Sequence, residues 1–313
     1  MTDVRWGILG AGWIVQQATG AALRSAHGSS LRAVAARDIL RAESVGAARA
    51  VTDYRSVIES DDIDAIYIAL SNEAHLPWIL AAIEAGKHVL CEKPLTLSPQ
   101  DTAKAFDAAE QAGVLLVEAV WSRWHPRTER IVELCRSGDL GEIETYLGTF
   151  TFPAVPPGNY RLDAKRGGGA LLDVGIYPLH VLAACLPDAA FRLLSVERHD
   201  VYGVDLTTRA TLEWAHGRAS IACSFEMPES QRLVIGGSHQ TVSVDDDQAF
   251  TSWRTHSSLT IGAHRETFEP VDAYQQMFEA VSGRIRGDDA WVMPRHESER
   301  VAGMVEVIQQ RSA

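Results

Sequence analysis

The fold of this chain is decided by Val4-Arg5-Trp6-Gly7-Ile8-Leu9-Gly10-Ala11-Gly12. The stretch is a short apolar strand that runs into two glycines, and residues 13–26 after it have the pattern of a helix. A Gly-x-Gly turn between a first strand and a first helix is typical of a dinucleotide-binding fold, because the N–H groups at the helix N-terminus face a pyrophosphate. Val15 replaces the third glycine of the full pattern, which predicts slightly wider packing of helix on strand.

Strands and helices alternate through the first 120 residues. Strands are predicted over residues 31–36, 64–70, 88–91 and 114–119, and helices over residues 39–50 and 76–85. A further helix is predicted to begin with Ser98 as its cap and Pro99 at its first position. This alternation predicts a Rossmann-type doubly wound parallel sheet.

The second half of the chain has a different pattern. After a helix over 128–136, strand-like segments are predicted over 142–152, 192–199, 207–214, 218–225, 232–235 and 241–244, with two helices near the end. This pattern predicts an α+β domain with a mostly antiparallel open sheet. The predicted domains are residues 1–121, which bind the dinucleotide, and residues 122–313, which bind substrate and dimerise.

Composition excludes several classes of function. The 313 residues carry a net charge of −12, which argues against a nucleic-acid partner because phosphate binding needs a basic face. No apolar run reaches the roughly 18 residues of a membrane span, and we identify no signal peptide. The four cysteines are scattered, which predicts reduced thiols in a cytoplasmic protein and no metal site.

The tip of the second strand predicts the cofactor. NAD enzymes usually place an acid there for the ribose 2′-hydroxyl, whereas this chain has Arg37 at that place and Arg41 one helical turn later. Two guanidiniums suit the 2′-phosphate of NADP. Asp38 stands between them and could serve as the acid, so NAD remains the alternative.

The tripeptide Glu92-Lys93-Pro94 follows a predicted strand of the parallel sheet. A lysine at the carboxyl end of such a strand points into the crevice where ligands bind. Its ammonium can hold a carbonyl or hydroxyl oxygen while hydride moves to or from a nicotinamide. We therefore predict that Lys93 is catalytic.

The second cluster of candidate residues is Gly167-Gly168-Gly169-Ala170-Leu171-Leu172-Asp173-Val174-Gly175-Ile176-Tyr177-Pro178. Three glycines allow a close approach of the backbone, and Asp173 and Tyr177 share a helix face. A nearby ammonium lowers the pKa of a tyrosine from its ordinary value of about 10. We predict that Tyr177 handles the proton, that Lys93 assists it and that Asp173 orients the pair. His180, one turn beyond Tyr177, is either a substitute acid or, as is more common for a histidine on a helix face, a structural residue.

These motifs, together with Asn72-Glu73-Ala74-His75 and Arg123, resemble those of the Gfo/Idh/MocA oxidoreductases. Many members have His where this chain has Tyr177. With a tyrosine at this position, the chain resembles the branch of the family that contains dimeric dihydrodiol dehydrogenase and NADP-dependent D-xylose dehydrogenase. The resemblance implies hydride transfer between NADP, or NAD, and a sugar, polyol or trans-dihydrodiol. One departure is Ser71, where many members have proline.

The predicted cofactor-binding residues lie on the loops of the first domain. They are Gly10, Ala11, Gly12, Trp13, Ile14, Arg37, Asp38, Arg41, Leu70, Ser71, Asn72, His75, Glu92 and Lys93. The predicted substrate-binding residues are Trp121, Arg123 and Tyr160, although Trp121 and Trp124 could equally line the domain junction.

Two functions follow from these observations. The first is an NADP-dependent dehydrogenase acting on CH–OH groups of carbohydrates or diols, and the alternative is a nucleotide-sensing regulator that kept the fold and lost the chemistry. The presence of Lys93, Asp173 and Tyr177 favours the enzyme. The resemblance and the small outer residues of strand 218–225 further predict a homodimer formed through the second domain's sheet.

Overall fold

A computed structural model describes residues 2–244, 246 and 248–310. The chain divides into two compact units. The first contains Met1–Trp121 and Asp272–Ser298, and the second contains Ser122–Val271 and Glu299–Ala313. The division after residue 121 coincides with the predicted domain boundary, but residues 272–298 return to the first unit, which the sequence-based division did not include.

The α-helices are α1 (Gly20–Ser25), α2 (Ile39–Ser44), α3 (Tyr54–Ile58), α4 (His75–Glu84), α5 (Pro99–Ala112), α6 (Pro126–Ser137), α7 (Ile176–Cys185), α8 (Ala273–Ile285) and α9 (Arg295–Gln310). The helices predicted over residues 76–85 and 128–136 lie within two residues of their observed bounds, and the short helix α3 was not predicted. The predicted start of α5 is confirmed, because the Ser98 side chain accepts a hydrogen bond from the N–H of Asp101 and Pro99 is the first helical residue.

The first unit contains a six-stranded parallel sheet. Its strands are β1 (Val4–Leu9), β2 (Ser29–Ala35), β3 (Arg49–Val51), β4 (Ala65–Ile68), β5 (His88–Glu92) and β6 (Leu116–Ala119). Their order in the sheet is β3-β2-β1-β4-β5-β6. Successive strands are therefore added on one side of β1 up to β3 and on its other side from β4 onward, which makes the gap between β1 and β4 the topological switch point. The predicted doubly wound sheet is confirmed. Ligands of such sheets bind outside the carboxyl ends of the strands at this switch point.

Helix α8 belongs to the core of the first unit. The ring of Trp6 on β1 meets Phe278 edge to face at 5.5 Å, and Trp6 Nε1 donates a hydrogen bond to Ser282 Oγ at 3.0 Å. Tyr67 on β4 packs on the same Phe278 ring at 5.2 Å. These three aromatic side chains are fully buried. The burial of this aromatic cluster explains why a late segment of the sequence joins the first unit.

The second unit contains an eight-stranded, mostly antiparallel sheet, as predicted. Its order is β14-β13-β12-β11-β7-β10-β9-β8, and β7 and β10 are parallel neighbours. The strands are β7 (Ile143–Thr151), β8 (Arg192–Val201), β9 (Val204–Trp214), β10 (Gly217–Ser224), β11 (Ser230–Gly237), β12 (Thr241–Val244), β13 (Ser257–Ile261) and β14 (His264–Phe268).

One face of this sheet is covered by a helix that extends through residues 170–185. Cys223 on β10 is buried against it, and a Cβ at Gly175 would lie 2.8 Å from the Cys223 sulfur. The prediction that no apolar run reaches the length of a membrane span is wrong for Ala164–Cys185, which is long and apolar enough by composition, but 94% of its most apolar window is buried in the structure. It is therefore the core helix of the second unit.

The prediction of one helix over residues 39–50 is wrong. Helix α2 ends at Ser44, and Gly46 with φ of +79° turns the chain into the edge strand β3. Three strand residues are too few to show an alternating pattern. The sequence also missed β13 and β14, because each is only five residues long and has few apolar residues; the two strands pair on either side of Gly262.

Candidate active site

The turn after β1 approaches the loop after β4 closely. Gly10 has φ of +103°, and a Cβ there would collide with the carbonyl oxygen of Ala69. The N–H of Gly10 donates a hydrogen bond to the carbonyl of Ala35 at 2.8 Å. A Cβ at Gly12 would meet no protein atom within 4 Å. The first glycine is therefore required by the protein itself, and the second leaves its backbone accessible to a ligand.

The helix that follows contains a π turn. It begins at residue 13 and widens over Val15–Thr19 before it becomes α1. Gly20 permits a close approach one turn later, because a Cβ there would lie 2.7 Å from the carbonyl oxygen of Val15. The substitution of the third glycine by Val15 is thus accompanied by a wider turn and a later glycine.

Asp38 at the tip of β2 serves as the N-cap of α2. Its Oδ1 accepts hydrogen bonds from the N–H groups of Leu40 at 3.0 Å and Arg41 at 3.4 Å. Its Oδ2 lies 3.8 Å from the Arg41 guanidinium. Arg37 and Arg41 are exposed. The carboxylate is engaged by its own helix, while both predicted phosphate-binding guanidiniums face solvent.

His75 connects the loops after β4 and β5. Its Nδ1 lies 2.8 Å from the carbonyl oxygen of Pro94, and its Nε2 lies 3.2 Å from that of Leu70. Burial lowers its pKa below the ordinary value. A neutral imidazole has one N–H, so it donates to one of these carbonyls at a time. His75 therefore packs between the two loops, and Asn72 beside it is also buried.

Lys93 is half-buried and lies directly after β5, between anchored neighbours. Glu92 accepts a hydrogen bond from the Tyr67 hydroxyl at 2.5 Å. Burial and the adjacent Glu92 raise the pKa of Tyr67 well above its usual range, so this phenol remains a donor. On the other side, the N–H of Leu95 donates to Glu118 Oε1 at 2.9 Å. These contacts hold the backbone on both sides of Lys93.

The loops of the first unit fit a nicotinamide dinucleotide. The open side of Gly12 and the exposed guanidiniums at the tip of β2 suit a pyrophosphate and a further phosphate. The predicted cofactor-binding residues follow the carboxyl ends of four strands: Gly10, Ala11, Gly12, Trp13 and Ile14 after β1; Arg37, Asp38 and Arg41 after β2; Leu70, Ser71, Asn72 and His75 after β4; Glu92 and Lys93 at the end of β5.

Asp173 and Tyr177 belong to the second unit and lie on its buried helix. Asp173 is within a π turn, Leu171–Gly175, and Tyr177 is in the first turn of α7. Pro178 has no N–H to donate to the carbonyl four residues earlier, so the regular ladder is interrupted and a wider turn can form. The Tyr146 hydroxyl on β7 donates to the Pro178 carbonyl at 2.6 Å.

Asp205 on β9 holds the start of this helix. Its Oδ2 accepts hydrogen bonds from the N–H of Leu171 at 2.9 Å and from Thr208 Oγ1 at 2.7 Å. Burial raises the pKa of Asp205. A Cβ at Gly169 would collide with the Asp205 carboxylate, and Gly169 has φ of +128°. Part of the triple-glycine block is therefore required by this capping contact.

Asp173 forms an ion pair with Arg161, a residue that the sequence analysis did not select. Arg161 Nε donates to Asp173 Oδ2 at 2.6 Å. Burial opposes the charge of Arg161, but Asp173, with smaller contributions from Tyr160 and Tyr177, raises its pKa. The sequence analysis predicted that Asp173 orients Lys93 and Tyr177. Only the position of Arg161 next to the candidate Tyr160 could have drawn attention to it.

The predicted substrate residues lie in different surroundings. Trp121, the last residue of the first unit, is buried and stacks on Tyr274 of α8 at 4.5 Å. Arg123 is buried in the second unit. The Tyr160 ring has the Arg161 guanidinium at 5.1 Å and the Arg166 guanidinium at 5.7 Å. Among the described residues, no group of three His, Cys, Asp or Glu side chains could hold a metal ion.

Family models match both units of the chain. Residues 4–120 match the oxidoreductase family with an NAD-binding Rossmann fold, and residues 128–243 match the GFO/IDH/MocA C-terminal domain. The chain belongs to the Gfo/Idh/MocA oxidoreductase family. This membership confirms the resemblance, and it makes the protein a nicotinamide-dependent oxidoreductase by family.

Two curated relatives match most of the chain. D-xylose 1-dehydrogenase (NADP+) 2 of Haloferax volcanii is 35% identical over 97% of this chain and 95% of its own length. Trans-1,2-dihydrobenzene-1,2-diol dehydrogenase of Mus musculus is 30% identical over 85% of this chain and 80% of its own.

A solved structure also matches both units. It is a 3-ketoreductase from Actinomadura kijaniata in complex with NADP and TDP-benzene, with a TM-score of 0.89, 27% identity and coverage of 99% and 98% of the two chains. Structures of that enzyme with a tyrosine replaced by phenylalanine and with a lysine replaced by alanine match at TM-scores of 0.89 and 0.85.

Proposed function

We propose that this protein is an NADP-dependent oxidoreductase acting on a CH–OH carbon, or the corresponding carbonyl, of a sugar, polyol or trans-dihydrodiol. The observation that carries the proposal is the placement of Lys93. It follows β5 in a doubly wound sheet, and anchored residues hold the backbone on both sides of it. A cation at this edge of the sheet stands where a substrate oxygen would be bound.

The engagement of Asp38 supports NADP over NAD. Its carboxylate caps α2, whereas the guanidiniums of the neighbouring Arg37 and Arg41 are exposed. The 2′-phosphate would be held by these two guanidiniums. The xylose dehydrogenase relative is named for NADP+, and the ketoreductase was solved with NADP.

The spacing of two residues supports the catalytic assignment. In the ketoreductase, the substituted lysine and tyrosine are 84 positions apart, and Lys93 and Tyr177 have the same separation here. When bound, the nicotinamide supplies the carbon that accepts or returns hydride. Tyr177, ionised, takes the proton of the substrate hydroxyl, and Lys93 holds the oxygen and favours the ionised tyrosine.

The names of the relatives suggest the substrate class. D-xylose and a trans-dihydrodiol share adjacent oxygen-bearing carbons on a ring, and the ketoreductase acts on a keto group. We assign substrate contacts to Trp121, Arg123 and Tyr160. We further propose that the protein is a homodimer, that it lies in the cytoplasm and that it acts in carbohydrate metabolism. The four free cysteines are consistent with a reducing compartment.

A substrate panel tests the proposal. The purified protein is assayed with aldoses including D-xylose, with polyols and with trans-dihydrodiols, each in the presence of NADP+ and NAD+, and with keto sugars and NADPH. We expect one class to be turned over, with NADP preferred. Lys93→Met should abolish most of that turnover while NADP binding, followed by fluorescence, is retained.

One result would contradict the enzyme assignment. If the protein binds NADP but turns over no member of the panel in either direction, the nucleotide-sensing regulator becomes the better explanation. If it turns over substrate with NAD and NADP equally well, the enzyme assignment stands and the cofactor assignment fails.

A further inference from the structure

We infer that Arg161 is a positioning residue for Tyr177: held by Asp173, its guanidinium stabilises the ionised phenol. The inference rests on the proposed function, which gives Tyr177 the proton step. It also changes the role of Asp173, whose partner in the second unit is a guanidinium.

The ion pair is short and largely shielded from water. Arg161 Nε lies 2.6 Å from Asp173 Oδ2, and the two side chains are 30% and 8% exposed. A charge-assisted hydrogen bond in such surroundings is stronger than a surface pair. Asp173 therefore restricts where the Arg161 guanidinium can lie.

The backbone of the Arg161 loop is clamped by the triple-glycine block. Gly169 N–H donates to the Arg161 carbonyl at 3.0 Å, and Gly168 N–H donates to the Asp163 carbonyl at 3.0 Å. A Cβ at Gly168 would lie 2.5 Å from the Arg161 carbonyl oxygen and 2.9 Å from that of Tyr160. The glycines that precede the helix of residues 170–185 thus also fix the loop that carries Arg161.

The ion pair and Tyr177 share one side of the helix. Asp173 and Tyr177 are four residues apart, so their side chains project from the same face. Tyr177 is 7% exposed and packs against Phe150 on β7 with ring centroids 5.5 Å apart. The ionised form of Tyr177 contributes to the raised pKa of Arg161, after the larger effect of Asp173. The two charges therefore favour each other.

Other titratable groups on the packed elements have other partners or remain neutral. Asp205 on β9 caps the helix, and Tyr146 on β7 donates to a backbone carbonyl. Burial raises the pKa of Cys223 on β10 well above its usual range, so its thiol is neutral. Further titratable groups lie on the same loop, on the helix itself, and on α6 and the turn before it. They are Tyr160, Asp163, Lys165 and Arg166 on the loop, His180 and Cys185 on the helix, and Arg123, Glu129, Cys135 and Arg136 on the turn and α6.

The consequence for the reaction is a lower free energy of the phenolate. In oxidation, the substrate O–H proton passes to the phenolate oxygen of Tyr177, and the C–H hydride leaves with its electron pair to the nicotinamide. The phenol later releases that proton to water. Arg161 acts through Tyr177, because the positive charge that Asp173 holds in place favours the ionised phenol.

A tyrosinate titration tests this without any substrate. The ultraviolet difference between the wild type and Tyr177→Phe isolates the titration of Tyr177 from the other six tyrosines. The same difference is measured in an Arg161→Gln background. Loss of a nearby opposite charge should raise the Tyr177 midpoint by about one to three pH units. Arg161→Lys should restore part of that shift.

Lys165→Gln is the matched control. Lys165 lies on the same loop and carries the same charge, but its side chain is exposed, so solvent screens it. We expect its removal to leave the Tyr177 midpoint unchanged. In the active enzyme, the acid limb of the kcat/KM pH profile should move with the midpoint in Arg161→Gln and stay in place in Lys165→Gln.

Two results would overturn the inference. One is an unchanged Tyr177 midpoint in folded Arg161→Gln, even if the dehydrogenase assay succeeds. The other is a wild-type midpoint at or above the ordinary value of about 10, which decides the matter if Arg161→Gln does not fold. A shifted midpoint in a protein that turns over no substrate supports the inference about Arg161 and counts against the proposed function alone.

Discussion

Replacing Arg37 with alanine should weaken the binding of NADP and leave that of NAD unchanged. Arg37 lies at the tip of β2 and is exposed. The adjacent Asp38 accepts hydrogen bonds at Oδ1 from the N–H groups at the start of α2. The 2′-phosphate is the one group that distinguishes the two cofactors. A loss confined to NADP would therefore locate that phosphate at Arg37.

The size of the effect follows from the exposure of the contact. A hydrogen bond to a charged group contributes about 1.5–3 kcal/mol when it is well formed. Because Arg37 is open to solvent, we expect the lower end, about 1.5 kcal/mol. This corresponds to a roughly tenfold rise in the Kd of NADP. Removing Arg41 as well should add a further, smaller loss.

Calorimetric or fluorescence titration with both cofactors provides the measurement. Arg55→Ala is the matched control, since Arg55 is a similarly exposed arginine that pairs with Glu59 at 3.6 Å on α3. Both cofactors should bind this variant as they bind the wild type. Asp38→Ala should cost about 1 kcal/mol of stability through the lost cap and little NAD affinity.

Two results would refute the reasoning. If Arg37→Ala changes the Kd of NAD and NADP by the same factor, the guanidinium does not read the 2′-position. If Asp38→Ala weakens NAD binding strongly, the carboxylate is a ribose ligand and its role as a cap is secondary.

Three further predictions concern catalysis, pH and assembly. Tyr177→Phe and Lys93→Met should each lower kcat by roughly 10²–10⁴-fold with NADP binding retained. The double variant should lose much less kcat than the product of the two single losses. A Tyr177→Phe enzyme with wild-type kcat would assign the proton step to another group. Burial and then the Arg127 charge lower the pKa of His125 to about 4 from 6.5, so the unfolded chain binds the extra proton and stability should fall by about 3 kcal/mol as pH drops across that window. His125 is the N-cap of α6, and its Nδ1 accepts a hydrogen bond from the N–H of Arg127 at 3.1 Å. His125→Asn keeps a capping side chain and should reduce this loss of stability, measured by urea titration at several pH values. An unchanged dependence of stability on pH would contradict the prediction. Light scattering at micromolar concentration should give twice the chain mass of 34.2 kDa, and a monomer would reject the dimer.

The structure also refines the surface expected for the dimer. On β10, the inner residues Ala219, Ile221 and Cys223 are buried as predicted, and Ser220 on the other face is exposed. Ser224 was expected on that outer face, but it is fully buried and its hydroxyl lies 2.6 Å from Thr207 Oγ1. Mutations intended to break the dimer should therefore be placed at Ser220.

The sequence alone determined the fold class and the elements that carry the candidate site. Gly10 and Gly12 between a strand and a helix, and Ser98 with Pro99 at the start of α5, act over a few residues, so their meaning can be read from their neighbours. Lys93 and Tyr177 could be selected as candidates for the same reason, since each lies in a short motif beside a predicted strand or helix.

Only the tertiary structure decided which side chains meet. Arg161 forms an ion pair with Asp173, which lies twelve positions later, and His75 contacts the carbonyl of Pro94, nineteen positions later. The hydrogen bond from Trp6 to Ser282 spans 276 positions. No local propensity encodes these contacts, because they form when separate segments bury their apolar faces together. The return of α8 to the first unit and the engagement of Asp173 by a guanidinium have this common cause.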